Sequence, residues 1–169
     1  MYPLLWIKIR LYITILTNNK NQKDGIMGHQ DKGHFAAKHE DKQINKTIAE
    51  KIRALSDNNC LSCASAHRAG KALNISPSEI GVQTDLLEYR IAECQLGLFG
   101  YSDGEKRINP NIVISSDLNE QLDKISKDGR ISCLECWNIA KKLKIKKLDV
   151  GSACEKKNIR IKPCQLGAF

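Results

Sequence analysis

Residues 61–99 read LSCASAHRAGKALNISPSEIGVQTDLLEYRIAECQLGLF, and residues 131–169 read ISCLECWNIAKKLKIKKLDVGSACEKKNIRIKPCQLGAF. The second stretch repeats the first at an offset of 70 residues without a gap, and 13 of the 39 aligned positions are identical. Their longest shared run is CQLG, at 94–97 and again at 164–167. A repeat of this kind is one supersecondary unit written twice, so we expect both copies to share a scaffold.

The repeat extends upstream as a helical pattern. Ile48, Ile52 and Leu55 are spaced along one face of a helix, and apolar residues with the same spacing recur 70 positions later. A unit of about 55 residues folds alone only marginally, so the two copies are expected to pack together. The predicted organisation is repeat 1 at 45–99, a linker at 100–114 and repeat 2 at 115–169.

Within each copy, the pattern predicts three helices and then a short strand. In repeat 1, Pro77 suits the first turn of the third helix, and Tyr89 and Ile91 alternate with polar residues as a strand would. Gly81 and Gly151 fall inside the third helix, where glycine costs about 1 kcal/mol relative to alanine. They predict a close approach of another backbone, with tight packing of the third helix on the second favoured over contact with a ligand. The predicted fold class is mainly α.

Residues 1–44 precede the repeats and differ from them in composition. The stretch 1–17 is apolar, but it is short and carries two positive charges, so a membrane span is disfavoured. A dispensable extension and an interfacial anchor both remain open. His29, His34 and His39 follow at a spacing of five, which misses the helical pairing of two metal-binding imidazoles. We predict a disordered tail here, with metal binding by the tail as the alternative.

Positive charge is concentrated in repeat 2. The chain has 27 Lys and Arg against 19 Asp and Glu, a formal charge of +8. Residues 61–99 hold three basic and four acidic side chains, a net of −1, whereas 131–169 hold nine basic and three acidic, a net of +6. If the protein binds a polyanion, repeat 2 is expected to supply most of the contact.

Part of each copy resembles a known DNA-binding motif. The run RAGKALNISPSEIGVQTDLLEYRI at 68–91 resembles the helix-turn-helix core of winged-helix transcription regulators, and NIAKKLKIKKLDVGSACEKKNIRI at 138–161 resembles it less closely. The resemblance implies two tandem winged-helix-like units, with the third helix in the DNA major groove and the following strand at a wing edge. The full tandem unit resembles no family that we can name.

Carried over position by position, the resemblance implies which residues face the groove. The third helix of repeat 1 holds acidic but no basic side chains, so repeat 2 is expected to make the main contact. Groove-facing positions would be Ser76, Ser78, Val82, Gln83 and Leu86 in repeat 1, and Lys146, Leu148, Ser152, Ala153 and Lys156 in repeat 2. The predicted DNA-binding residues are Lys146, Lys147, Ser152, Lys156, Lys157, Arg160, Ser76, Ser78, Gln83 and Arg90.

The seven cysteines support a competing hypothesis. Cys63 and Cys94, like Cys133 and Cys164, are 31 residues apart, so each copy carries the same pair. Such pairs could bind zinc or form a redox-switched disulfide. Two ligands per copy complete a tetrahedral site only if the copies meet, and a free cysteine on an apolar face is usually a small buried hydrophobe. We therefore predict packing, with no cofactor and no metal, and keep zinc and redox sensing as the alternative.

The sequence shows no nucleophile–base pattern and no phosphate-binding glycine loop, so we predict no enzymatic activity. An odd number of cysteines without a convincing signal peptide favours a reducing cytoplasm. The expected function is a transcriptional regulator that binds double-stranded DNA, with a homodimer left open. The alternatives are a cysteine-based metal or redox sensor and a protein-interaction module on the same scaffold.

Overall fold

Two series of elements in the same order make up the structure. The computed structural model describes residues 33–169, which form one unit and are mainly helical, as predicted. A 3-10 helix, Phe35–Lys38, comes first. Repeat 1 then contains α1 (Lys46–Leu55), β1 (Cys60–Ser62), α2 (Cys63–Leu73), α3 (Pro77–Leu86) and β2 (Arg90–Ala92). Repeat 2 contains α4 (Ser116–Ile125), β3 (Arg130–Ile131), α5 (Cys133–Leu143), α6 (Lys147–Lys156) and β4 (Arg160–Ile161).

Polar residues fix where most of these helices begin. The hydroxyl oxygens of Ser62 and Ser76 accept hydrogen bonds from backbone N–H groups in the first turns of α2 and α3. Ser132 and Glu135 form a reciprocal capping box at the start of α5. Lys146 precedes α6 without a side-chain cap, so the first turn of that helix lacks a bond that α3 has.

The strands pair differently from the prediction. A strand follows the third helix in each copy, as expected, but its partner is a short strand just before the second helix. Both pairs are parallel, with Leu61 opposite Ile91 and Ile131 opposite Ile161. The strand after the third helix therefore pairs with the segment that leads into the second helix, and it does not form the predicted wing edge.

Each copy completes the hydrophobic core of the other. One core consists of residues from repeat 2 together with Cys94 and Leu96 of repeat 1. The other core consists of residues from repeat 1 together with Leu166, and Cys164 packs against it. The CQLG motif of each copy thus lies on its partner, so the boundaries 45–99 and 115–169 do not enclose separate cores.

Gly81 and Gly151 allow the CQLG turn of each copy to pack closely on the other copy. The backbone carbonyl of Leu166 fills the space that a β-carbon on Gly81 would need, and the carbonyl of Leu96 does the same at Gly151. The predicted close approach of a backbone is confirmed, but its source is the CQLG turn of the other copy and not the second helix. These reciprocal contacts are those of an isologous, two-fold related interface.

Equivalent residues also meet directly, which marks the two-fold axis. The rings of His67 and Trp137 lie 4.3 Å apart between centroids, and those of Phe99 and Phe169 lie 5.6 Å apart, edge to face. Each pair occupies matching positions of the repeat. The two copies therefore form an internal pseudo-dimer within one chain.

Residues 33–44 are part of this unit. The backbone N–H of Phe35 donates to the carboxylate of Glu88 at 2.9 Å, and His39 Nε2 lies 3.0 Å from Asp85 Oδ2. The prediction of a disordered tail is wrong for 33–44, because these residues bind α3 and its C-terminal turn. The prediction for 1–32 lies outside the described residues.

Within residues 33–169, no helix has both the length and the apolar character needed to cross a membrane.

Candidate functional site

The helices predicted to enter the DNA groove are enclosed. In α6, the five consecutive residues 150–154 are all buried. Because an α-helix turns once every 3.6 residues, five consecutive buried residues leave no open face. In α3, Gln83 is 2% exposed, as is Ser152 in α6. The prediction that Gln83 and Ser152 face a DNA groove is wrong.

The segment before repeat 1 covers α3. The side-chain oxygen of Gln83 accepts a hydrogen bond from the backbone N–H of Asn45 at 2.8 Å. The N–H groups of Ala36 and Phe35 both donate to Glu88, and they hold the pKa of that carboxyl below its ordinary value. Gln83 in α3 and Glu88 just after it therefore accept hydrogen bonds from this chain's own backbone.

The linker covers α6 in the same way. Ser152 Oγ accepts a hydrogen bond from the backbone N–H of Asn109 at 2.9 Å, and Lys106 forms a 2.7 Å ion pair with Glu155. Lys156 Nζ donates to the backbone carbonyl of Ile112 at 2.9 Å. Residues 100–114 thus act as a strap over α6 rather than as a free connection between two domains.

The remaining predicted DNA-binding residues are distributed over several surfaces. Lys157 forms a 2.8 Å ion pair with Asp123. Ser76 holds the N-terminus of α3. Arg160 lines a cleft of about 350 Å³ near Phe99 and Phe169. The exposed members of the set are Ser76, Ser78, Arg90, Lys146, Lys156 and Arg160, and the half-buried members are Lys147 and Lys157.

A dense group of exposed lysines lies where α5 turns into α6. We call Lys141, Lys142, Lys144 and Lys146 the lysine turn; all four are exposed. Lys142 donates to the amide oxygen of Gln121 at 2.8 Å. Within residues 33–169, none of the four forms an ion pair with a carboxylate. At the matching positions, repeat 1 has only one charged residue, Lys71.

Lys147 faces the other copy instead of solvent. Its ammonium lies 3.1 Å from the centre of the Trp137 ring and donates to the side-chain oxygen of Gln95 at 2.7 Å. Burial lowers the pKa of Lys147. A cation held over an indole face is stabilised by the ring's quadrupole. Lys147 therefore joins the two copies, contrary to its predicted contact with DNA.

His67 occupies the centre of the same interface. The Nε2 atom of His67 and the Nε1 atom of Trp137 are buried and have no hydrogen-bond partner. Burial, with a smaller contribution from the nearby Lys147 ammonium, lowers the pKa of His67 to about 4. The imidazole is therefore neutral at pH 7, and protonating it would place a second cation beside Lys147.

The cysteine pair of repeat 1 is enclosed. Cys63 and Cys94 are 6% and 5% exposed, respectively. Burial raises the pKa of Cys63 to about 11 and also raises that of Cys94. Both side chains are therefore thiols at neutral pH and serve as core residues, as predicted for packing cysteines.

The matching pair of repeat 2 has a different environment. Cys164 is half-buried, and the Cys133 thiol lies close enough to influence its ionisation. The backbone N–H of Leu166 lies 3.4 Å from the same sulfur. The neighbouring Cys133 thiol, together with backbone donors, lowers the pKa of Cys164. The pKa of Cys133 is raised by its contact with Cys164 and by burial, so a thiolate is favoured on Cys164 over Cys133.

This arrangement of cysteines does not provide a set of ligands for zinc. Over the described part of the chain, no three or more His, Cys, Asp or Glu side chains are grouped so that they could hold a metal ion. The candidate zinc ligands Cys63, Cys94, Cys133 and Cys164 do not form one tetrahedral site.

The chain was compared with protein-family models, with curated proteins and with solved structures, and none of them matched. The helix-turn-helix resemblance therefore rests on the sequence runs alone.

Proposed function

We propose that the protein binds double-stranded DNA, as the helix-turn-helix resemblance implies, and that the lysine turn makes the contact. The observation that carries this proposal is the exposure of four lysines that have no carboxylate partner within residues 33–169. Cations that no internal carboxylate neutralises remain available to phosphates.

Contact with the phosphate backbone fits these side chains better than base reading. Lysine is a flexible point charge that attracts phosphate but reads base edges less well than arginine does. The middle of α6, which would have to reach the bases, is buried under the strap at 100–114. The proposed mode is therefore binding by the turn between two helices, with α6 serving as its support.

Repeat 1 provides substitutions that suit the fold. At the positions of Lys142, Lys144 and Lys146 it carries Ala72, Asn74 and Ser76. The backbone angles match between the copies, with Asn74 and Lys144 both left-handed and Ser76 and Lys146 both extended. The triple variant K142A/K144N/K146S therefore removes three charges with residues that the protein already uses there. It leaves Lys141 in place, because repeat 1 also has a lysine at that position.

The test is a salt titration of binding to a DNA duplex. Each phosphate neutralised contributes about 0.9 to the slope of log K against log salt, so the triple variant should reduce the slope by about 2 to 3. The matched control replaces Lys42, Lys46 and Lys51, which lie in or before α1, with glutamine. An equal reduction in this control would assign the binding to overall charge, and absence of binding by the wild type at low salt would overturn the proposal.

A further inference from the structure

We propose that Cys133 and Cys164 form a reactive dithiol site, in which Cys164 attacks a hydroperoxide and Cys133 then closes a disulfide. This inference is independent of DNA binding. It rests on two features that distinguish repeat 2 from repeat 1, namely the interaction between the two thiols and the partial exposure of Cys164; the backbone donors around Cys164 recur around Cys94.

The CQLG turn places backbone N–H groups around Cys164. The N–H of Leu166 donates to the Cys164 sulfur, the N–H of Gly167 donates to the Cys164 carbonyl oxygen, and the Cys133 thiol lies beside the sulfur. For Leu166 the N to Sγ distance is 3.4 Å. Donors directed at a sulfur stabilise the thiolate, which is the nucleophilic form.

Cys133 is held in position to act second. The backbone N–H of Cys133 donates to the carbonyl of Pro163 at 3.0 Å, so the chain segments that carry the two thiols lie side by side. The side-chain amide of Gln165 lies 3.5 Å from the Cys133 sulfur. Adjacent backbones bring the two cysteines near each other, as a disulfide requires.

Repeat 1 is a natural control for this inference. Cys63 and Cys94 occupy the same positions in the repeat, but both are buried in the core. Their environment disfavours the thiolate in both residues. Cys136 and Cys154 are in mutual contact and fully buried, so a hydroperoxide does not reach them. The difference between the copies predicts that only the Cys133 and Cys164 pair reacts.

The reaction balances with the hydroperoxide as the only oxidant. The Cys164 thiolate attacks the terminal peroxide oxygen, the O–O bond breaks, and the sulfur becomes a sulfenic acid as an alkoxide leaves and takes up a proton. The Cys133 sulfur then attacks the Cys164 sulfur and loses its proton, and the sulfenic hydroxyl departs as water. Two thiols and one hydroperoxide thus give one disulfide, one alcohol and one water.

The test treats the full chain with one equivalent of hydrogen peroxide and follows intact mass and peptide linkage. We expect the loss of two hydrogen atoms and a trypsin-resistant link between peptides 131–141 and 161–169. The double variant C63S/C94S should react at the wild-type rate. Reaction of wild type at Cys60 or Cys63, without a link to Cys164, would overturn the proposal.

Single variants separate the two roles and identify the partner of Cys164. In C133S, the sulfenic acid on Cys164 has no resolving thiol, so a dimedone adduct should accumulate on peptide 161–169. This variant also decides between Cys133 and Cys136, since the two share one tryptic peptide. A disulfide that still forms in C133S, or an adduct that is absent while the variant remains folded by circular dichroism, would contradict the assignment.

Discussion

The carbonyl oxygen of Leu166 lies against the α-carbon of Gly81, in the space that any other residue would need for its side chain. The obstacle is backbone and not the flexible end of a side chain, so it cannot turn aside. Leu96 and Gly151 repeat the contact in the opposite direction. Two glycines thus determine whether the copies can close on each other.

Replacing either glycine with alanine should destabilise the protein. In an ordinary helix interior, this change stabilises by about 1 kcal/mol. Here we expect a loss of about 1 to 3 kcal/mol in the free energy of unfolding for Gly81→Ala and for Gly151→Ala, because the CQLG turn has to move. Urea denaturation followed by circular dichroism measures both. A gain in stability from either variant would show that the contact does not exist in solution.

Truncating Leu166, which belongs to repeat 2, should destabilise repeat 1. Leu166 is 3% exposed and lies in the core of repeat 1, so Leu166→Ala is expected to cost about 2 to 5 kcal/mol. Native-state hydrogen exchange should show faster exchange in α1 and α2. Leu134→Ala, at a position that is 52% exposed, is the control and should change stability by less than about 0.5 kcal/mol. Faster hydrogen exchange confined to α4 and α5 would contradict the placement of Leu166 in the core of repeat 1.

The start of α6 lacks a cap that α3 has. Ser76 Oγ accepts a hydrogen bond from the backbone N–H of Glu79 at 3.1 Å, whereas Lys146 makes no such bond. Lys146→Ser should therefore stabilise the protein, and Ser76→Lys should destabilise it, each by about 0.5 to 2 kcal/mol. Thermal denaturation measures both changes. Ser78→Lys, at an exposed position inside α3, is the control and should have almost no effect; effects of equal size at positions 76 and 78 would rule out capping as the cause.

The half-buried imidazole of His67 at the two-fold axis should make stability depend on pH. The pKa of His67 is about 4 in the folded protein and about 6.5 in the unfolded chain, so the unfolded chain takes up a proton first as the pH falls. The stability contributed by neutral His67 is complete above pH 6.5 and decreases between pH 6.5 and 4. Since part of the ring is exposed, we expect the free energy of unfolding to decrease by about 1 to 2 kcal/mol, which is less than the full pKa shift of His67 would give.

His67→Phe keeps a ring against Trp137 and removes the titration. The difference in unfolding free energy between wild type and variant should therefore change over the same pH range. Other groups, such as Glu88 and Glu135, whose pKa values are lowered by hydrogen bonds, titrate equally in both proteins and cancel in this difference. A difference that stays constant from pH 7 to 4 would show that His67 ionises normally.

The helices and their order could be predicted from the sequence because apolar spacing records which face each helix buries. The burial of Gln83 and Ser152 could not be predicted in this way. Their covers, 33–45 and 100–114, bind through backbone N–H groups and polar side chains and carry no hydrophobic period. The strands at 60–62 and 130–131 are too short for alternation to be seen.

The CQLG motif shows a second limit of sequence analysis. Its repetition signals an important contact, but both copies carry the same letters, so the sequence does not say which core each turn enters. Likewise, Cys94 and Cys164 have the same motif but differ in burial. That difference depends on what the rest of the fold places over each turn.

The crossed cores also affect the order in which this protein can fold during synthesis. Repeat 1 lacks Leu166 until 67 further residues have been added after Phe99. At about 5 to 20 residues per second, that delay lasts roughly 3 to 13 seconds. Through this interval the nascent chain exposes the apolar surface on α3 that Leu166 later covers, and it is then open to chaperones and to neighbouring chains.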